Sequence, residues 1–170
     1  MKYKPKAEDI IEKLKLAPLN VEGGYFRETY RSGILIEFKN KDGKIEKRSI
    51  CTAIYYLITK GSYSHLHMLA HDEIFHFYFG DPVDMILLHP DGRHEIRTMG
   101  PEILKGETVQ LTVSTNTWQG AKLKKDGDFA LLGTTVSPGF DYNDYFAGED
   151  FLNDIFLKFP DCREIIKEYI

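Results

Sequence analysis

The sequence predicts an all-β protein with short helices at its two ends, built as an antiparallel barrel or jelly roll. Three observations carry this. Three Asp-Gly pairs, in "KNKDGKIE", "HPDGRHE" and "KKDGDF", each lie between runs rich in Ile, Leu, Val, Phe or Thr, and Asp-Gly accommodates the positive φ that a tight hairpin turn demands. With "RSICTAIYYLI", "EIFHFYFG" and "VDMILLH" these runs give at least eight short strand candidates. No long helical pattern is present to cross between parallel neighbours, so the strands must pair antiparallel.

Taken in order, "AEDIIEKLKL" places Ile10, Ile11 and Leu14 at helical spacing with Glu and Lys opposite, which predicts an amphipathic helix over about 7–16. The barrel is expected over about 22–142, starting at the two glycines of "VEGGYFRETYRS", which permit a sharp bend. Alternation after that bend separates Tyr25, Arg27, Thr29 and Arg31 from Phe26, Glu28 and Tyr30. At the far end, Phe151, Leu152, Ile155, Phe156 and Phe159 form a helical stripe that Pro160 stops, and Asp161 with Glu164 resembles a capping box, giving helices over about 149–169. One domain, 1–170, is the economical reading.

Composition narrows the function. A net charge of -4 offers no general attraction to nucleic acid or to an anionic membrane. No apolar run approaches the roughly 18 residues of a membrane span, and "MKYKPKAEDIIEKLKLAP" lacks the apolar centre of a secretion signal. The cytoplasm is the expected compartment. Cys51 and Cys162 read as free thiols.

The densest chemistry lies in "GSYSHLHMLAHDEIFHFYFG", residues 61–80. His65 and His67, one residue apart, share a face of an extended strand and point at a common place. Glu73 follows a turn around "MLAHD" and can return as a metal ligand or a general base. Two histidines and a carboxylate make a facial set for Fe(II), Mn(II) or a similar divalent metal, while hydrogen-bonded or solvent-facing histidines are the other reading. His71 is expected in the turn, exposed. Alternation from Glu73 puts Phe75, Phe77 and Phe79 inward and His76 and Tyr78 outward, unless a bulge reverses the order.

Gly61, His65, His67, Glu73 and Gly80 resemble the first motif of the cupin superfamily, a glycine, an HxH pair, a glutamate and a later glycine. The resemblance implies a cupin-type β-barrel, or double-stranded β-helix. The step from His67 to Glu73 is one or two residues longer than in typical metal-binding cupins. The second cupin motif ends in a metal-binding histidine; here "STNTWQGA" stands in its place, with Ser114 and Asn116 at the turn and Gln119 where the histidine would be. A glutamine carbonyl is a poor transition-metal ligand beside imidazole.

A narrower resemblance runs through "EGGYFRETYRS", "SHLHMLAHDEIFHFYFGDP", "TWQGA" and "LLGTTVSPGFDYNDYF". Together these look like a little-characterised cupin group catalogued as a domain of unknown function and as predicted sugar epimerases. The resemblance implies His67, Glu73 and Gln119 as the pocket set, with His65 variable. The group's usual "HPEGG" is "NVEGG" here, one imidazole fewer.

Beside the resemblance, Arg27 facing a barrel mouth would hold a carboxylate or phosphate, or else would sit in a surface ion pair. Glu22, directly before the bend, is a further ligand-binding candidate. Trp118, the only tryptophan, reads as a packing residue, and Gln119 on the opposite face is placed to hydrogen-bond a ligand. Asp141 reads as a loop anchor. Three functions remain in view: acid/base chemistry on a small polar molecule such as a sugar or nucleotide-sugar, with His67 or Glu73 moving the proton and Tyr78 opposing; a metal-dependent enzyme on His65, His67 and Glu73; and non-catalytic small-molecule binding. Phe- and Tyr-rich strands predict a homodimer.

Overall fold

The computed structural model describes residues 5–39 and 43–170. Helix α1 (Ala7–Leu14) is followed by β1 (Ala17–Pro18), β2 (Tyr25–Arg31), β3 (Leu35–Lys39), β4 (Ile45–Ser49), β5 (Thr52–Thr59), β6 (Ser64–Leu69) and β7 (Asp72–Gly80). Then come β8 (Val83–Leu88), β9 (His94–Met99), β10 (Gln110–Val113), β11 (Trp118–Leu123), β12 (Phe129–Ser137) and β13 (Tyr145–Ala147), and finally helices α2 (Leu152–Lys158) and α3 (Arg163–Ile166).

The strands form a six-stranded sheet ordered β1-β2-β5-β12-β7-β10, a five-stranded sheet ordered β13-β6-β11-β8-β9, and a separate β3-β4 hairpin. The pairings between named strands are antiparallel, as the lack of crossover helices requires. The fold is thus the antiparallel jelly roll expected from the sequence. Of the three Asp-Gly pairs, Asp91-Gly92 closes the β8-β9 hairpin, with Gly92 at φ 90°. Of the Asp42-Gly43 pair, Asp42 falls outside the described residues, and Gly43 precedes β4. Asp126-Gly127 differs from expectation: it joins β11 to β12, strands of different sheets, so it is a corner rather than a hairpin tip.

Three apolar clusters hold the layers together. Between the sheets, Tyr56, Ile58, Phe75, Phe77 and Leu132 of one meet Met85, Leu87, Met99 and Ala121 of the other. Outside the six-stranded sheet, Ile10 of α1 packs with Leu16, Leu57, Phe129 and Leu131. Outside the five-stranded sheet, Ile155, Phe159, Cys162 and Ile166 cover Leu66, Ile86 and Leu88. Trp118 packs against this third cluster, the structural role its sequence context suggested. Both cysteines are free. Lys15, in the left-handed conformation, ends α1 just before the predicted boundary. Pro160 does interrupt the C-terminal helices, but no side chain caps α3; Glu164 instead pairs with Lys167 at 2.6 Å. Among the described residues no helix is long and apolar enough to cross a membrane.

The regular alternation of side chains is broken at three β-bulges. In β2 the register with β5 steps from Glu28↔Ile54 to Tyr30↔Ala53, leaving Thr29 as the extra residue. In β6 the register with β11 steps from Gln119↔His67 to Ala121↔Ser64, so His65 and Leu66 together oppose Gly120. In β7 it steps from Phe77↔Leu132 to Phe79↔Leu131, leaving Tyr78 extra. An added residue reverses the facing of everything beyond it.

Candidate functional site

The inner face of the six-stranded sheet is apolar at one end and polar at the other. At the polar end, Arg31, Thr52, Val136 and Glu73 lie in one row across β2, β5, β12 and β7, and Glu28, Ile54, Thr134 and Phe75 in the next. Between the rows and the opposite sheet is a cavity of about 110 Å³, lined among others by Glu22, Glu73, Phe26, Leu69, Thr134 and Tyr145.

Glu73 is the central group. It is buried, and its carboxylate Oε2 accepts a 2.7 Å hydrogen bond from Gln119 Nε2 on the facing sheet. Burial pushes its pKa up to about 7; Glu22 adds to the rise, and His67, Thr134 and Gln119 oppose it. The other atom of the Gln119 amide, Oε1, is buried with no hydrogen-bond partner.

Glu22 reaches the cavity from the bend between β1 and β2. Gly23, at φ 97°, makes this bend: a Cβ there would stand 2.1 Å from the Tyr63 carbonyl oxygen, so no other residue fits without backbone movement. Three hydrogen bonds latch the bend. His65 N–H donates to the Glu22 carbonyl at 2.7 Å, Tyr145 O–H to the Val21 carbonyl at 2.8 Å, and Tyr56 O–H to the Gly23 carbonyl at 3.0 Å. Ser64 Oγ then donates to Glu22 Oε1 at 2.8 Å.

His67 is 1% exposed, directly opposite Gln119 on β11. Its Nδ1 donates to the His65 carbonyl at 2.8 Å, which leaves Nε2 turned toward Glu22 Oε2 at 3.9 Å. The Tyr145 ring stacks on the imidazole at 5.3 Å between centroids. Tyr145 is held from its own side by a loop anchored on buried Arg48, which pairs with Asp141 at 3.1 Å and Asp144 at 3.2 Å. Asp141 also caps the turn by accepting from Asn143 N–H, the anchoring role expected of it.

The bulges decide which predicted residues meet here. Glu22, His67, Glu73 and Gln119 come together. His65 does not: the β6 bulge makes Ser64 and His67, rather than His65 and His67, the pair that faces inward, and His65 is exposed with its ring edge-on to Tyr63. Arg27 lies on the outer face with its guanidinium over Tyr55, and beyond the β2 bulge Arg31 takes the place at the mouth. Arg31 is paired there with Glu28 at 2.7 Å and donates to the Phe140 carbonyl. Tyr78 lies outside too, about half exposed, packed over Gly133 and edge-on to Tyr55, far from a role opposite Glu73. His76 is outward as alternation requires, its Nε2 3.1 Å from Thr135 Oγ1. His71, expected exposed, is instead largely covered, with Nε2 3.6 Å from Asp144 Oδ2 and its ring against Phe38. Sequence reasoning did not assign Tyr145 or Tyr56 to the site; Tyr145 opens β13, a strand of three residues too short to carry a periodic signal.

A family profile described as cupin superfamily (DUF985) matches residues 8–147. An uncharacterised protein of Saccharomyces cerevisiae is 30% identical over 145 residues, 79% of this chain and 72% of that protein. The structure of a hypothetical protein from Leishmania major superposes with a TM-score of 0.81 at 31% identity, covering 97% of this chain and 98% of that one. Oxalate decarboxylase of Bacillus subtilis, a protein with Mn(II) centres, superposes with a TM-score of 0.55 at 17% identity over 92% of this chain and 38% of its own, a likeness of fold alone.

The donors present do not suit such a metal. Among the described residues no three His, Cys, Asp or Glu side chains converge closely enough to hold one. The His65, His67 and Glu73 set expected from spacing is broken by the β6 bulge, and the Gln119 amide is engaged by its N–H with Glu73. What the site does hold is two carboxylates, one imidazole and an amide in a pocket walled by aromatic and aliphatic side chains. The chain belongs to the cupin superfamily, in the family designated DUF985.

Proposed function

We propose that the barrel pocket performs acid/base chemistry on a compact polar molecule, of the kind that epimerises or isomerises a carbon beside a carbonyl. One observation carries the reading: Glu73 lines the cavity as a buried carboxyl whose pKa is pushed up to about 7, where it can both take and give a proton. Of the other two carboxylates that line the cavity, Glu28 is paired with Arg31, and Glu22 replaces Tyr78 as the opposing group. Gln119 bonds Glu73, His67 lies 3.9 Å from Glu22, and both oppose the rise in the Glu73 pKa. The cavity's size suits a short-chain molecule or one end of a sugar; pockets for drug-sized ligands run to roughly 300–1,000 Å³.

The test is proton exchange. A panel of short hydroxy-carbonyl compounds and keto sugars is incubated in D2O and followed by NMR. Wild type is expected to wash deuterium into the carbon beside the carbonyl of at least one compound, and Glu73→Gln to do so at least about a hundredfold more slowly. Binding of a compound without exchange in the wild type would make this a binding pocket rather than an enzyme.

A further inference from the structure

The charge and hydrogen-bond inventory of the cavity selects its ligand more narrowly, on the reading that this cavity is the site. Several of the polar hydrogens nearest its carboxylates are already engaged. Tyr145 O–H is given to the Val21 carbonyl and Ser64 O–H to Glu22. The Gln119 amide N–H is given to Glu73, and a Thr134 hydrogen bond also supports Glu73. At the mouth, Arg31 is neutralised by Glu28 and turned toward the Phe140 carbonyl.

Acceptors remain. Glu22 Oε2 has its nearest ionic neighbour at 3.9 Å, and Gln119 Oε1, on a side chain 1% exposed and beside Glu73, has no partner. A buried acceptor without a donor is costly, and a ligand that brings donors relieves the cost. Charge points the same way. Glu22 and Glu73 are two carboxylates against one imidazole, so the lining is weighted toward negative charge. An anion entering this low-dielectric space meets repulsion, while a monocation balances it. The walls add to the preference, since the rings of Phe26, Phe140 and Tyr145 line the same cavity and aromatic faces attract organic cations.

We propose that the pocket binds a compact organic ammonium group, a primary amine on a short carbon chain, with Glu22 and Glu73 receiving its N–H groups and the aromatic walls covering its carbons. Carboxylates, oxalate among them, and phosphates are rejected by the same carboxylates. The ammonium group anchors the ligand; the proton transfer proposed above acts on such a ligand only where it also carries a carbonyl, at the carbon beside that carbonyl.

Three molecules of nearly equal size and different charge test this: ethanolamine, ethylene glycol and glycolate, each titrated into the 170-residue protein at neutral pH and followed by amide NMR shifts of residues lining the cavity. Ethanolamine is expected to bind at least about tenfold more tightly than ethylene glycol, with glycolate weakest. Glu22→Gln is expected to weaken ethanolamine by about tenfold and to leave ethylene glycol unchanged. Equal binding of the alcohol and the amine, or tighter binding of glycolate, would overturn the ammonium assignment while leaving the cavity as the site. Silence of the cavity resonances to all three at up to about 100 mM would overturn the site as well.

Discussion

Gln119 Nε2 and Glu73 Oε2 lie 2.7 Å apart across the gap between the two sheets, and both side chains are buried. The bond favours the ionised carboxylate and so restrains the rise in the Glu73 pKa that burial and Glu22 produce. Gln119→Leu is expected to raise the Glu73 pKa above about 7, read from the carboxyl carbon shift as a function of pH. It should also destabilise the fold by about 1–3 kcal/mol in denaturant titrations, because the acceptor is left unpaired. An unchanged titration would mean that the amide does not govern this carboxyl.

The raised Glu73 pKa makes stability depend on pH. A glutamate in the unfolded chain titrates near 4.3, and in the folded protein near 7, so between these values the folded state holds a proton that the unfolded state has lost. Stability from this group is therefore full below the lower value and is lost as pH rises through the upper one. Relative to Glu73→Gln, which cannot titrate, wild type is expected to lose roughly 3 kcal/mol between about pH 4 and about pH 8. Urea unfolding of both proteins across that range measures the difference; a gap that stays constant with pH would show a solvated Glu73.

Gly23→Ala should act on the fold and the site together. The new Cβ would strike the Tyr63 carbonyl, at a φ that L side chains rarely adopt. The expected cost is more than about 2 kcal/mol, with the resonances of Glu22, Ser64 and Tyr145 displaced because all three hang on the same bend. Wild-type stability in the variant would show that the bend relaxes without strain.

His65 and His67 should separate sharply under substitution. His65→Ala is expected to change stability by no more than about 0.5 kcal/mol and to leave cavity resonances in place. His67→Ala empties a buried site beneath the Tyr145 ring and is expected to cost about 2 kcal/mol or more. Equal effects would indicate that both imidazoles face the interior.

Much of the fold is written in patterns that the sequence exposes: the terminal helices in their apolar spacing, the hairpin at Asp91-Gly92, the inward face of Glu73, Phe75 and Phe77. The site was half legible. Glu73, which follows alternation, and His67 and Gln119, which join a recognisable motif, lie together at the polar end of the barrel. His65 and Phe79, placed on the inner face by the same alternation, both lie outside, each in a strand that carries a bulge, and Arg27, for which mouth and surface are both open in the sequence, lies on the outer face. A bulge adds one residue to one strand against its partner, so its presence depends on a neighbour distant in the chain and leaves no mark in the local pattern. Tyr78 was given its role for its chemistry, against the outward position that alternation itself assigned. Tyr145 was missed because a long-range stack, not periodicity, brings it to His67.

The β6 bulge has an evolutionary reading. A cupin with "HLH" at this place carries two imidazoles on one strand, and the backbone decides how many of them the interior receives. Were the extra residue moved upstream of Ser64, strict alternation would turn His65 inward beside His67 without altering either histidine. Within one fold, then, a lineage can lose or regain a two-histidine face by sliding a bulge, a change that sequence identity at the histidines themselves would never record.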